Sequence, residues 1–209
     1  SAAQAKDVFP FEYVTSDFTK LINDKDIDLI VVSTQHNSHS KFIVEALKAG
    51  KHVICEKPLA NTVDEASEMA EAAAAARSSC SMVAFNYRRV PALAMARSMI
   101  QSGKLGTIFH VRANYLQDWI IDPEFPLVWR LDKNIAGSGA LGDIGAHIVD
   151  ASYFLTGSKI TSVSGQMKTF IKERPLPAAS TAAPPLIGPP GQRKEARTLY
   201  PLKSGINAF

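Results

Sequence analysis

The chain has 209 residues, 46% hydrophobic and 21% charged, enough apolar content for one ordinary domain or two small ones and too much for disorder throughout. Its 23 Lys+Arg against 20 Asp+Glu leave a net charge of only +3, and no basic run is interleaved with aromatics, which argues against a nucleic-acid or anionic-membrane partner. No apolar stretch approaches the roughly 18 to 20 residues of a membrane helix, and no basic-then-apolar secretion signal opens the sequence.

In chain order, a mostly small and polar stretch of ten residues, SAAQAKDVFP, comes first. Ser16-Asp17 then precedes a short helical pattern with Phe18, Leu21 and Ile22 on one side, stopping at Asn23-Asp24. Residues 27–34, IDLIVVST, form a continuous apolar run, which predicts a parallel strand buried on both faces. Asn37 or Ser38 is placed to cap the next helix, whose stripe of Phe42, Ile43, Ala46 and Leu47 ends at Gly50. A second strand is predicted over 52–56. Thr62-Val63-Asp64-Glu65 has the form of a capping box and opens an Ala-rich helix to about Arg77, followed by a third strand over 81–86. Strand and helix in alternation read as an α/β fold.

Pro91, an N1-type proline, starts an amphipathic helix that ends at Gly103, and residues 107–115 carry the β-branched and aromatic side chains of a strand. A long irregular segment rich in Trp, Pro and Gly, 117–139, leads to a helix over 142–155 closed by Thr156-Gly157, and 161–171 alternates as a further strand. Seven of the 12 prolines fall after residue 173, where periodicity stops and an irregular tail is expected. Cys55 and Cys80 sit in apolar runs at no metal-ligand spacing. Buried free thiols, no metal site and a reducing, cytoplasmic compartment are expected.

Two clusters carry chemistry, and weaker features accompany them. Glu56-Lys57-Pro58 stands at the carboxyl end of a predicted parallel strand, where open α/β sheets bind ligands. An ammonium there can hold an alcohol oxygen, and the Lys57-Pro58 bond is a candidate for the cis form that aims it. Asp143 and His147, four apart on a predicted helix with Asp150 nearby, share one face. A separate stripe of Ile144, Ile148, Ala151 and Leu155 is free to pack. A histidine titrates near neutral pH and can exchange a proton, while Asp143 can orient it or grip a hydroxyl. Thr34 and the segment 86–89, NYRR, end neighbouring strands at the same sheet edge, and Trp119, Trp129 and Arg130 can supply a stacking wall and an anion contact. The bland readings are a solvated Lys57 in a strand-to-helix turn, an Asp143 placed only by the helix dipole, and core tryptophans.

Taken together, VVSTQHNSH at 31–39, AGKHVICEKPLA at 49–60, FNYRR at 85–89 and AGSGALGDIGAHIVD at 136–150 resemble the glucose-fructose oxidoreductase / inositol dehydrogenase (Gfo/Idh/MocA) family. The resemblance runs from about Tyr13 to Ile171, and the segment around YLQDW is most similar to inositol dehydrogenase and levoglucosan dehydrogenase relatives. It implies NAD or NADP as cofactor, a small sugar, anhydrosugar or cyclitol as substrate, and a homo-oligomer in the complete enzyme. Lys57, Asp143 and His147 match the family's catalytic lysine, acid and histidine. Thr34, Gln35, His39, Glu56, Asn86, Trp129 and Arg130 fall on segments that approach the nicotinamide cofactor.

No GxGxxG occurs, so the expected fold is a partial Rossmann-type parallel sheet lacking its first βαβ segment, over 1–89. An incomplete α+β substrate domain over 90–172 and a Pro-rich tail over 173–209 follow. The expectation is a fragment of an NAD(P)-dependent sugar or cyclitol dehydrogenase; the competing reading is a noncatalytic sugar- or nucleotide-binding protein of the same fold.

Overall fold

The computed structural model describes residues 10–177 and 199–201. These fall into two compact units, one of residues up to 34 together with 38–84, the other of 35–37 together with 85 onward.

The first unit is a parallel sheet with helices. Helix α1 (Phe18–Asn23) is capped by the Asp17 carboxylate, which accepts from the Thr19 amide. Strand β1 (Leu29–Val32) pairs in parallel with β2 (His52–Cys55), and β2 with β3 (Ser81–Val83), giving the order β1-β2-β3. Helix α2 (His39–Lys48) crosses between β1 and β2 and ends where Gly50 takes φ 78°, a left-handed conformation that costs a glycine nothing. Helix α3 (Val63–Ala75) crosses between β2 and β3 and begins in a full capping box: the Glu65 amide donates to Thr62 Oγ1, and the Thr62 amide donates to the Glu65 carboxylate.

The core lies on one side of this sheet. Ile30, Val32, Val53 and Cys55 meet Ile43, Val44, Ala46 and Leu47 of α2 and Met69 of α3. At roughly 1.5–3 kcal/mol for each large apolar side chain fully buried, this cluster is the main favourable contribution in the unit. The expectation that β1 is buried on both faces is corrected. Burial alternates along it, with Leu29 44% and Val31 60% exposed, because the clustered helices cover only the face of Ile30 and Val32. A continuous apolar run cannot tell one covered face from two.

In the second unit, helix α4 (Pro91–Gln101) starts on the expected N1 proline and packs against α6 (Ala146–Thr156), which closes at Gly157 with φ 69°. A π-helical turn, Leu141–Gly145, leads into α6, and the 117–139 segment contains a 3-10 turn, Trp129–Leu131, and the short helix α5 (Lys133–Ala136). The strands expected over 107–115 and 161–171 are not formed. Both stretches lack ladder pairing and expose Phe109 (93%), Val163 (86%) and Met167 (63%). Strand propensity is largely a measure of fit to neighbouring strands, and without a ladder these side chains have no pleated surface to join. Within the tail expected to be irregular, β4 (Glu173–Pro175) pairs antiparallel with β5 (Leu199–Pro201). Among the described residues no helix is long and apolar enough to cross a membrane.

Candidate functional site

In the first unit the chemistry-bearing side chains stand at the carboxyl end of the sheet. Thr34 is exposed two residues beyond β1, its hydroxyl 2.7 Å from that of Ser38. Glu56 is exposed immediately after β2, and the Lys57 amide donates to its carboxylate at 3.3 Å. The Lys57-Pro58 peptide is cis.

His39 joins these two loops. It is 0% exposed, with Nε2 at 3.1 Å from the Thr34 carbonyl and Nδ1 at 3.1 Å from that of Pro58. The sequence placed His39 among the cofactor contacts; the structure puts it beneath the loops that carry Thr34 and Lys57, where it sets their spacing. Cys55 lies against the same imidazole, Sγ to Nδ1 3.4 Å, and burial followed by the Glu56 charge pushes its thiol up to about 12. Such a thiol is an inert core group.

The second unit carries the rest. Gln35 is exposed, and His36 beside it is buried, its Nδ1 3.3 Å from the Ala136 carbonyl and its ring edge-on to Trp129 at 5.0 Å. The Arg130 guanidinium lies over the Trp129 ring at 4.4 Å. Residues 35–37 are therefore fastened to the Trp129–Ala136 segment through a histidine that sequence reading passed over. Asn86 is exposed at the head of a 3-10 turn, Asn86–Arg89.

Asp143 sits in the π-helical turn and is half-buried, whereas His147, in the first turn of α6, is 7% exposed. Of the expected apolar stripe Ile144 is buried and Ile148, Ala151 and Leu155 are half-buried; the correction concerns the other face, where His147 and Asp150 are buried rather than presented. Arg88 explains the burial of Asp150. Its Nε donates to both carboxylate oxygens, at 3.1 and 2.9 Å, and Nη2 adds a further bond to Oδ1. The guanidinium also lies over Phe85 and Phe154, 5.7 and 5.6 Å from the ring centres.

Asp143 lines a recess of about 20 Å³ together with Gln117, Trp119, Arg130 and the apolar Ile120, Leu131 and Ile144. That is room for about one water or hydroxyl group. A recess of that size, bordered by a carboxylate, an amide and a guanidinium, can seat a single hydroxyl of a polyhydroxylated substrate but not its ring.

Three further residues have contacts that the sequence did not assign, Tyr87 among them although it lies in the NYRR segment. Tyr87 stacks on His147, ring centres 4.2 Å apart and planes 21° from parallel. The Tyr115 hydroxyl is 2.5 Å from that of Tyr87. This bond, then burial and the charges of Tyr87 and Asp143, push the Tyr115 phenol up to about 12. Arg174, 0% exposed, donates to the carbonyls of Ile120, Asp122 and Phe125, and so folds the loop that follows Trp119. None is near its partner in sequence, so no local motif announces them. Among the described residues no group of three His, Cys, Asp or Glu side chains could hold a metal ion.

Residues 1–85 match the family model described as the oxidoreductase family, NAD-binding Rossmann fold, and residues 93–193 match the GFO/IDH/MocA C-terminal domain. The chain belongs to the GFO/IDH/MocA family. Within it, a levoglucosan dehydrogenase of Pseudarthrobacter phenanthrenivorans is 45% identical over 182 residues, covering 87% of this chain and 46% of the relative. A 1,5-anhydro-D-fructose reductase of Ensifer adhaerens is 36% identical over 143 residues, 65% of this chain and 40% of the relative. Among solved structures, an oxidoreductase domain protein from Kribbella flavida superposes with a TM-score of 0.81 at 56% identity, covering 84% of this chain and 47% of that one. A levoglucosan dehydrogenase in complex with NADH and levoglucosan gives the same TM-score, 0.81, at 46% identity and the same coverage, 84% and 47%. The chain thus spans about half the length of these GFO/IDH/MocA relatives.

Proposed function

We propose that the chain belongs to a nicotinamide-dependent dehydrogenase that oxidises a secondary alcohol of a sugar, with anhydrosugars of the levoglucosan type as the first class to test. The observation that carries this reading is the recess formed by Gln117, Trp119, Arg130 and Asp143, with the half-buried carboxylate four residues before a buried histidine. The 45% identity to a levoglucosan dehydrogenase supports the anhydrosugar class over cyclitols.

The residues fit a nicotinamide dinucleotide in one checkable respect. Thr34 and Glu56 are exposed polar groups just beyond the carboxyl ends of adjacent parallel strands, the edge where open α/β sheets take nucleotides. Thr34, Gln35, Glu56, Asn86, Trp129 and Arg130 would hold it, with His39 fixing the two loops of the first unit. When bound, it supplies a two-electron hydride acceptor. The chain's own groups do the rest. His147 accepts the hydroxyl proton of the alcohol, and Asp143 takes a hydrogen bond from a substrate hydroxyl. Lys57 donates to the oxygen as it gains negative charge on the way to a carbonyl.

The test is turnover with levoglucosan, 1,5-anhydrosugars and inositols in the presence of NAD+ or NADP+, alongside His147→Ala. General acid–base catalysis contributes typically 10²–10⁴-fold, so His147→Ala is expected to lose turnover by about that factor, with dinucleotide affinity changed by less than about threefold. Unchanged turnover in His147→Ala removes the assignment, and sugar or dinucleotide binding without any turnover favours a noncatalytic binding protein.

A further inference from the structure

We infer that Tyr87 and Tyr115 are positioning residues that fix the plane of the His147 imidazole and tie it to the wall of the Asp143 recess. The inference rests on the reading of His147 as proton acceptor and adds to it a means of holding the ring.

Four contacts in the second unit form a continuous path. Tyr87 lies flat on His147, 4.2 Å between ring centres at 21°. Its hydroxyl meets that of Tyr115 at 2.5 Å. The Tyr115 oxygen accepts from Gln117 Nε2 at 3.1 Å, and Gln117 Oε1 accepts from Trp119 Nε1 at 3.2 Å. Gln117 and Trp119 then line the recess beside Asp143. Each polar group along this path is bonded to the next, so displacing one side chain breaks the bond to its neighbour. The stack has a second anchor. Tyr87 belongs to the 3-10 turn that packs on α6, and Arg88, the next residue, is tied to Asp150, one turn beyond His147. Phe85 closes the edge, 6.4 Å from the imidazole centre and 78° from its plane.

The physical consequence concerns geometry. A proton acceptor works only within a narrow range of distance and angle, and a displacement of about 1 Å costs on the order of 10²-fold in rate. A histidine near the start of a helix has two side-chain torsions to settle. A flat aromatic neighbour restrains the ring plane, and the Tyr115 hydroxyl fixes the far end of that neighbour, which keeps it over the imidazole. Because the far end of the path lines the recess, a sugar hydroxyl seated there bears on the same network.

The experiment combines histidine ring resonances by NMR with turnover, in the 209-residue chain and its Tyr87→Phe, Tyr87→Leu and Tyr115→Phe variants. The His147 signals are assigned by their loss in His147→Ala. In the parent chain they are expected upfield of those of the exposed His110, through the ring current of Tyr87. Tyr87→Phe keeps the stacked ring but loses the bond to Tyr115, so it is expected to move the His147 resonances partway, in the same direction as Tyr115→Phe; Tyr87→Leu abolishes the ring-current shift and lowers kcat by roughly 10- to 100-fold, with the KM for dinucleotide within about twofold. Tyr115→Phe removes one hydroxyl, leaves both rings, and is expected to shift the His147 resonances. It carries the test if the leucine variant fails to fold. The resonances read the ring whether or not the chain turns over. Unchanged His147 resonances in Tyr115→Phe, or in a folded Tyr87→Leu, overturn the positioning role. Full turnover in His147→Ala instead overturns the reading beneath it.

Discussion

Replacing Arg88 by leucine strands the carboxylate of Asp150. That carboxylate is 7% exposed at the side chain, while Arg88 is 40% exposed, so the two ends of the ion pair stand in different surroundings. Breaking a fully buried pair by removing one partner costs about 3–5 kcal/mol. Solvent reaches the guanidinium, which lowers the figure; Arg88→Leu is expected to cost about 2–3 kcal/mol. Removing the other partner costs less, since an unpaired Arg88 turns to water and still rests on Phe85 and Phe154; Asp150→Leu is expected to cost about 1 kcal/mol. In Arg88→Leu/Asp150→Leu no stranded charge remains, and the double variant is expected to be more stable than Arg88→Leu alone. Urea unfolding of the four proteins gives the double-mutant cycle. Equal costs for the two single changes, or costs that simply add, would refute this account of the pair.

Cys80 is exposed and Cys55 buried with its thiol pushed up to about 12, so an aromatic disulfide reagent at mild alkaline pH should titrate one thiol in the native chain and two in urea. Because the folded-state values of Cys55 and Tyr115 lie above their ordinary 9.0 and 10.0, the stability they contribute is complete below about pH 9 and is lost as pH rises towards about 12; Tm should fall across that window, and less steeply in Cys55→Ala. Ile43→Ala opens the core between α2 and the sheet and should cost about 2–5 kcal/mol in chemical denaturation. Arg174→Met deprives the carbonyls of Ile120, Asp122 and Phe125 of their donor, and limited proteolysis should cut that loop faster than in the parent chain.

Local chemistry was legible where a few neighbouring residues decide the outcome. The capping box at Thr62 and Glu65, the Asp17 cap, the N1 proline at 91 and the left-handed glycines at 50, 103 and 157 all stand where the sequence placed them. So does the alternation of three parallel strands with two crossover helices, one marked by its apolar stripe and the other by its capping box and alanines. Pairing was not legible. The β-branched character of 107–115 and 161–171 says that these residues suit a sheet, and says nothing about whether a partner strand is present.

The site shows the same divide. Lys57, Asp143 and His147 could be singled out because each sits at a strand end or helix start defined by local pattern. The neighbours that fix their surroundings are distant in sequence: Tyr87 against His147, Arg88 against Asp150, Arg174 against Ile120. His39 illustrates a subtler miss. Its place beside the Ser38 cap marks the start of a helix, but only the fold shows that the cis Lys57-Pro58 loop closes over it and turns a candidate ligand contact into a brace.

The most direct measurement of the central claim is calorimetric titration of NADH into the 209-residue chain, after a cooperative thermal transition has been recorded. The account predicts saturable binding that weakens in Thr34→Ala and in Glu56→Ala and strengthens when levoglucosan is present. A cooperatively folded chain that gives no heat of binding, with or without the sugar, would contradict it.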